Sequence, residues 1–424
     1  MKYSTIIKII FFYCVFFIIL YFEGRQVGGI KLSQLWKMPL IGYMIIYVII
    51  KHKRTYKFNK LAYSYGFIKL FNPGIFNTLM LTIADCIRFI TFPFLFDYLK
   101  SKLKDTKAIK NLLFYISQFV ILSFIPFLFH ILAPAHQEVY IDPNVQEMYA
   151  EAGKTSGLFL KSHGASEILS LCLIIIIYKL QQEKKIKFLK AAYYVFLIAI
   201  GIWALVMTYA RGGWAMFTIG LIILLFKMNR KYILGGISIF FICFIGINYL
   251  MQTNETFYNR ITDKDSSGNQ QEEVGSGRLE FAKNGIEFWA NSTNFQQFLT
   301  GQGYDKLTDY QKEKAGIKIY CHNGYVDALA QNGILGFIFL ILSTIYIFTY
   351  IYKNKNEKDS RFVFAIFSMR VIFQLVQGGA SPYTDLIYAL ALCLLVYRRK
   401  EHFQKTISQK MINRNHKNYI KNMP

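Results

Sequence analysis

LKAAYYVFLIAIGIWALVMTYARGGWAMFTIGLIILLF, residues 189–226, contains two apolar runs separated by one short polar break. A bilayer's hydrocarbon core is about 30 Å thick and takes roughly 20 apolar residues as a helix. Each run is therefore a candidate membrane span. The break places Arg211, Gly212 and Gly213 where the chain turns from one span into the next. Similar apolar runs, beginning with IIKIIFFYCVFFIILYF at 6–22, recur along the 424 residues. The composition agrees: 54% hydrophobic, 17% aromatic and only 17% charged, against about a quarter charged in a soluble protein. The expected fold is an all-α integral membrane protein, a single polytopic domain over 1–424.

The net charge of +24 is concentrated in short loops. These are 51–60, 99–110, 183–187, 227–231, 352–361 and the tail from Arg398. Short Lys/Arg-rich loops mark the cytoplasmic side of a membrane, so this charge reads as topology and not as a nucleic-acid surface. Of the six cysteines, Cys14, Cys86, Cys172, Cys243 and Cys393 fall in apolar runs, Cys321 does not, and none forms a CxxC pair. No disulfide framework and no metal site are expected. The N-terminal run lacks a small-residue cleavage site and reads as an uncleaved first span.

With the N-terminus inside, the spans read 6–22, 36–50, 61–72, 75–98, 111–132, 157–179, 188–208, 213–228, 231–250, 327–351, 361–378 and 383–397. That is about twelve transmembrane helices, with both termini cytoplasmic. The third is short and interrupted by Lys69. Parity of the basic loops around it favours a crossing; a re-entrant loop is the competing reading. Two sizeable loops fall on the outer face, 133–156 and 251–326. Long loops without a role are uncommon, so chemistry is expected in the second.

Parity also puts Arg211 on the outer face. An arginine near the membrane costs up to ~2.5–3.5 kcal/mol on the insertion scale and calls for a partner. An anionic ligand approached across Gly212 and Gly213 is one reading, and snorkelling to lipid phosphates is the other. In the long loop, RLEFAKNGIEFWAN (278–291) places Leu279, Ala282, Ile286 and Trp289 at helical spacing. It predicts an amphipathic helix on the membrane or the bundle, capped by Ser276 and opening on Arg278. A cation there opposes the helix dipole. Gly301 and Gly303 form a tight turn, weak as a phosphate loop. In CHNGYVDALAQNG (321–333), Asn323 caps a short helix that Asn332-Gly333 ends. His322 then sits at a helix N-terminus, a position that favours neutral imidazole and so a general base; a capping or interfacial histidine is the plainer alternative. His163 with Glu167, the series Arg370, Gln374 and Gln377, and Asp85 with Arg88 are further polar groups inside predicted spans; structural pairing explains these at least as well as function does.

GLFLKSHGASEILSL (157–171), YARGGWAMFTIGLIILL, SGRLEFAKNGIEFW, LTGQGYDKL and HNGYVDALAQNGILGFIFL occur in that order. Together they resemble the core of the O-antigen ligase and O-antigen polymerase superfamily over about 157–345. The resemblance implies a bundle of about twelve helices, similar to GT-C glycosyltransferases, with 251–326 as a large periplasmic loop. It implies a bacterial inner-membrane enzyme that moves a glycan from undecaprenyl diphosphate to an acceptor hydroxyl, inverting and metal-independent, with no cofactor. The acceptor would be another glycan repeat or lipid A-core, and a chain-length regulator protein is a further implied partner. Residue by residue, Arg211 and Arg278 would bind the diphosphate and His322 would act as base. Gly212, Gly213, Asn323 and His163 would line the substrate site. Ala210 departs from the serine common in the family. The aromatic-rich chain leans towards a polymerase. A lipid-linked oligosaccharide flippase is the alternative, but it predicts two related halves and short loops. Another GT-C enzyme would carry acidic residues in the first outer loop, where 22–36 has only Glu23.

Overall fold

The computed structural model describes residues 3–22, 55–71, 79–133, 154–225, 278–378 and 381–421, save 104, 160, 184–185 and 317. It also describes isolated positions within 26–50 and 252–258. The helices are α1 (Tyr3–Tyr21), α2 (Lys57–Phe67), α3 (Leu79–Lys102), α4 (Thr106–Ser123), α5 (Ser162–Gln181), α6 (Phe188–Met207) and α7 (Arg211–Leu225). They continue as α8 (Arg278–Ala290), α9 (Phe295–Thr300), α10 (Tyr304–Ala315), α11 (Gly324–Lys353), α12 (Ser360–Val376) and α13 (Pro382–Lys421). A two-residue antiparallel pairing, Gln26–Val27 with Ile30–Lys31, is the one strand pair among the described residues.

Among the described residues, four helices are long and apolar enough to cross a membrane: Thr106–Leu128, Ser162–Gln181, Phe188–Met207 and Gly324–Lys353. α1 and α7 contain shorter apolar stretches. Helices thus stand at most positions where spans were expected. The expected spans 36–50 and 231–250, the turn at 72–74 and the Ser276 cap lie largely or wholly outside the described residues.

Burial separates the helix at the centre from those at the rim. In α5, 78% of the apolar window is buried, against 28% in α11. A helix apolar on all sides must be surrounded by others or by lipid, and α5 is surrounded by protein. Leu169, Leu171, Cys172, Leu173, Ile174 and Ile176 are all sealed from solvent. Small residues let neighbours close on it. A Cβ at Gly213 of α7 would come within 2.4 Å of Ser166 Cβ, and one at Gly201 of α6 within 2.7 Å of Leu173 Cδ2.

α2 runs into a 3-10 turn, Ile68–Phe71. At ~1.5 Å per α-helical and ~2.0 Å per 3-10 residue, this rod is about 25 Å long, shorter than a full hydrocarbon core. It packs on α3 where a Cβ at Gly66 would sit 2.3 Å from Ile90 Cγ2. Lys69, which interrupts the predicted third span, is 4% exposed. Its ammonium reaches Gln331 Oε1 at 3.5 Å and lies 4.6 Å from the centre of the Phe89 ring.

Polar networks sort to the two ends of the bundle. At one end, the carboxylate of Asp359 is fully buried and accepts from Lys110 (2.7 Å), Arg398 Nε (3.1 Å), Gln182 (3.4 Å) and the Tyr178 hydroxyl. These groups come from α4, α5 and its C-cap, α13 and the turn before α12, and they lie in or beside the loops read as cytoplasmic. Buried charge is tolerated only when it is paired in this way. At the other end lie segments read as outer, including 208–211, 278 and 322, together with Gln377 at the end of the span read as 361–378.

Candidate functional site

The site begins with Cys321. A Cβ at Gly285 of α8 would stand 2.3 Å from Cys321 Sγ, so α8 lies directly on this thiol. Cys321 packs with Phe288, Leu307 and Ala330 in a small core. Its N–H donates to Asp327 Oδ1 at 2.9 Å. Burial pushes its thiol pKa up, so it acts as an apolar plug. Gln311 of α10 donates to the Phe281 carbonyl at 2.7 Å and accepts from Asn284 at 3.2 Å, locking α10 to α8.

The next residue, His322, has φ +53, a region costly for a residue with a Cβ. Asn323 follows as the N-cap of α11, its Oδ1 accepting from the N–H groups of Tyr325 (3.1 Å) and Val326 (3.2 Å). The capping role read from sequence is thus met. Two of the described non-glycine residues with positive φ lie beside predicted site residues: His322 itself, and Tyr209 at φ +52, two positions before Arg211. Held strain of this kind clusters at functional sites.

The two glycine motifs have a different use from phosphate cradling. Gly301 (φ +80) and Gly333 (φ +65) press backbone on backbone: a Cβ at Gly301 would be 2.2 Å from the Gln331 carbonyl, and one at Gly333 2.3 Å from the Leu299 carbonyl. The N–H groups of Gly301, Gln302 and Gly303 donate to the carbonyls of Gln297, Ala330 and Gln331. The donors of the GxG turn are therefore spent inside the protein, and the turn clamps the first segment of α11. Gly333 has ψ −172, outside the helical range, so it kinks α11 between a short segment that carries the site and a long apolar one.

α8 also differs from its sequence reading. Phe281, Asn284, Gly285 and Phe288 face the protein, while Leu279 and Ile286 of the predicted apolar stripe are 74% and 47% exposed. The contact with the thiol at Gly285 and the amide bonds of Asn284 choose this face, and the stripe is left outward.

The end of α12 gathers the predicted residues. A Cβ on Gly212, next to Arg211 at the start of α7, would be 3.4 Å from Val376 Cγ1. Arg278, the first residue of α8, donates from Nη1 to the Val376 carbonyl at 3.3 Å. The next residue, Gln377, places its amide nitrogen 3.2 Å from His322 Nδ1 and 3.5 Å from the Tyr320 hydroxyl. Glycines permit this approach: a Cβ on Gly378 (φ +70) would be 2.9 Å from the Gly324 amide nitrogen. Arg278 and His322, 44 positions apart in the chain, are thus held by consecutive residues of one turn.

Electrostatics follow from the geometry. Burial, then the charge of Arg278, then that of Lys161, pushes the His322 imidazolium from 6.5 down to about 4, so the ring is neutral near pH 7. Its ring centroid lies 4.6 Å from that of Tyr320 and 6.1 Å from that of Phe281. Lys161 is exposed, and its ammonium lies 6.0 Å from the centre of the Tyr320 ring. Lys161 was missed by the sequence reading although it stands two residues before His163 in the quoted segment. The carbonyl of His163 accepts from Ser166 Oγ at 2.8 Å. The member of this segment whose charge acts on His322 is Lys161. Of the further polar groups inside the predicted spans, Glu167 and Arg370 have structural partners. Tyr388 donates to Glu167 at 3.0 Å, and Arg370 pairs with Asp385 at 3.3 Å.

Residues 195–341 match the model of the O-antigen ligase family. That stretch of the chain is similar to the O-antigen ligase family. The match spans roughly a third of the chain and encloses Arg211, Gly212, Gly213, Arg278, His322 and Asn323. His163, Lys161 and Gln377 lie outside it. A comparison with curated proteins returns no match. This similarity supports a membrane glycosyltransferase-like role in polysaccharide assembly, with a lipid-linked glycan and an acceptor as substrates in general.

Proposed function

We propose that the protein is a membrane glycosyltransferase that transfers a glycan from a polyprenyl diphosphate to an acceptor hydroxyl on the periplasmic face of a bacterial inner membrane. The observation that carries this reading is the turn at the end of α12, where Val376 holds Arg278 and Gln377 holds a neutral His322. Arg278 and Arg211 would take the diphosphate. Guanidinium groups bind such oxygens with paired, charge-assisted hydrogen bonds. Both stand at helix N-termini, where the backbone adds positive potential. Gly212 and Gly213 sit beside Arg211, and Asn323 holds the turn that presents His322. Lys161 and His163 would edge the site from the start of α5.

The acceptor oxygen attacks the anomeric carbon of the donor sugar, and the bond from that carbon to the diphosphate oxygen breaks. The polyprenyl diphosphate leaves with the bonding electrons, and the arginines stabilise the charge that grows on it. His322 takes the hydroxyl proton. A displacement of this kind inverts the anomeric centre. In the ligand-free site Arg278 and Lys161 oppose a proton on His322. A bound diphosphate reverses the local charge and strengthens the base when the substrate arrives.

Alanine substitutions test the assignment. Arg211→Ala, Arg278→Ala or His322→Ala should each lower transfer by about 10²-fold or more while membrane expression persists. Wild-type rates in all three would sink the site. Gene deletion reads out the acceptor on a glycan gel. Core bearing a single repeat means polymerase, the reading favoured here, and bare core with long glycan trapped on its carrier means ligase. An intact ladder would count against both.

A further inference from the structure

We propose that Gln377 is a positioning residue whose amide selects the ring nitrogen of His322 that accepts the proton. This rests on the reading of His322 as the base.

Gln377 is 3% exposed. Its amide nitrogen contacts His322 Nδ1 and the Tyr320 hydroxyl, while its Oε1 is buried without a hydrogen-bond partner. A neutral imidazole has one nitrogen that donates and one that accepts. With the amide N–H directed at Nδ1, the Nδ1 lone pair is occupied and the ring proton resides on Nε2. That ring has no free lone pair with which to take a proton. Turning the amide half a revolution about its last bond places Oε1 against Nδ1. Oε1 then accepts from Nδ1–H and from the Tyr320 hydroxyl, and the Nε2 lone pair is released as the base. The bond from Nδ1–H persists after Nε2 has been protonated, so this orientation also supports the imidazolium that forms.

The position of Gln377 suits this role. It lies at the C-terminal turn of α12, immediately after the carbonyl that holds Arg278 and immediately before Gly378, which closes on Gly324. Histidine bases elsewhere are oriented through the nitrogen that does not react, commonly by a carboxylate. Here the orienting group is neutral, which leaves the cations in control of the imidazole. Each orientation leaves one amide group without a protein partner, so neither is locked.

The test uses full-length protein in proteoliposomes with a polyprenyl-diphosphate-linked repeat as donor. Gln377→Leu removes both orientations and should lower kcat by about 10- to 100-fold with the donor KM within about twofold. Gln377→Glu keeps the acceptor at Nδ1 and adds negative charge. It should retain turnover near neutral pH and move the acid limb of kcat/KM upward by about one unit or more. A residue that does not contact the ring would leave that limb in place, and one that only packs against it would leave the kcat of Gln377→Leu near wild type. Wild-type kcat in Gln377→Leu, or an unmoved limb in Gln377→Glu, overturns the proposal. If Gln377→Leu does not fold, the limb in Gln377→Glu decides. His322→Ala separates the two readings. If it is inactive while Gln377→Leu is normal, only the positioning role fails. If it turns over normally, the base reading fails as well.

Discussion

The depressed basicity of His322 makes a quantitative prediction about pH. With His322 as the proposed base, activity requires the neutral ring, so it is present above the pKa of His322 and lost as pH falls through it. For free enzyme that pKa lies at about 4, set by burial, Arg278 and Lys161. At pH 5 about nine-tenths of a group with this pKa is neutral, whereas an ordinary histidine at ~6.5 would be only about 3% neutral. The two cases differ about thirtyfold in kcat/KM at that pH, a gap well beyond assay error. The quantity kcat/KM reports groups in the free enzyme, and kcat reports them in the complex. A bound diphosphate neutralises the cations that face the ring, so the acid limb of kcat should lie at higher pH than that of kcat/KM. The disubstituted diphosphate keeps its charges across this range and contributes no limb of its own. The assay is initial-rate transfer in proteoliposomes from about pH 4 to pH 8, at limiting and at saturating donor. A kcat/KM limb near 6.5, or coincident limbs in the two profiles, would refute the coupling between the cations and the ring.

Two further substitutions probe the same region. Lys161→Met removes one of the two cations that depress His322. The acid limb of kcat/KM should rise and the donor KM should increase a few-fold, and unchanged values of both would remove Lys161 from the site. Gly333→Ala forces a Cβ to within 2.3 Å of the Leu299 carbonyl at φ +65. Left-handed strain of ~1–2 kcal/mol and overpacking of ~1–3 kcal/mol add to roughly 2–5 kcal/mol. Thermal denaturation in detergent should show a midpoint several degrees lower, and an unchanged midpoint would mean that the clamp on α11 is slack.

What the sequence alone determined is what local chemistry dictates. Runs of about twenty apolar residues become helices because the backbone must satisfy its own hydrogen bonds in lipid. Asn323 caps α11, and the kink at Gly333 follows from short-range conformational preference. The order of the motifs pointed to Arg211, Arg278 and His322 and to the family. What only the tertiary structure decided depends on partners far away in the chain. The face that α8 turns inward was chosen by Cys321 and Gln311. The N–H groups of Gln302 and Gly303 in the GxG turn were taken up by the carbonyls of Ala330 and Gln331. The series Arg370, Gln374 and Gln377 looked like one helical stripe, yet Arg370 turned to Asp385 while Gln377, at the C-cap of the helix, turned to His322. Lys161 has no local mark at all. Its role arises because the start of α5 and the entrance to α11 meet at one end of the bundle, where charge acts through space and is indifferent to distance along the chain.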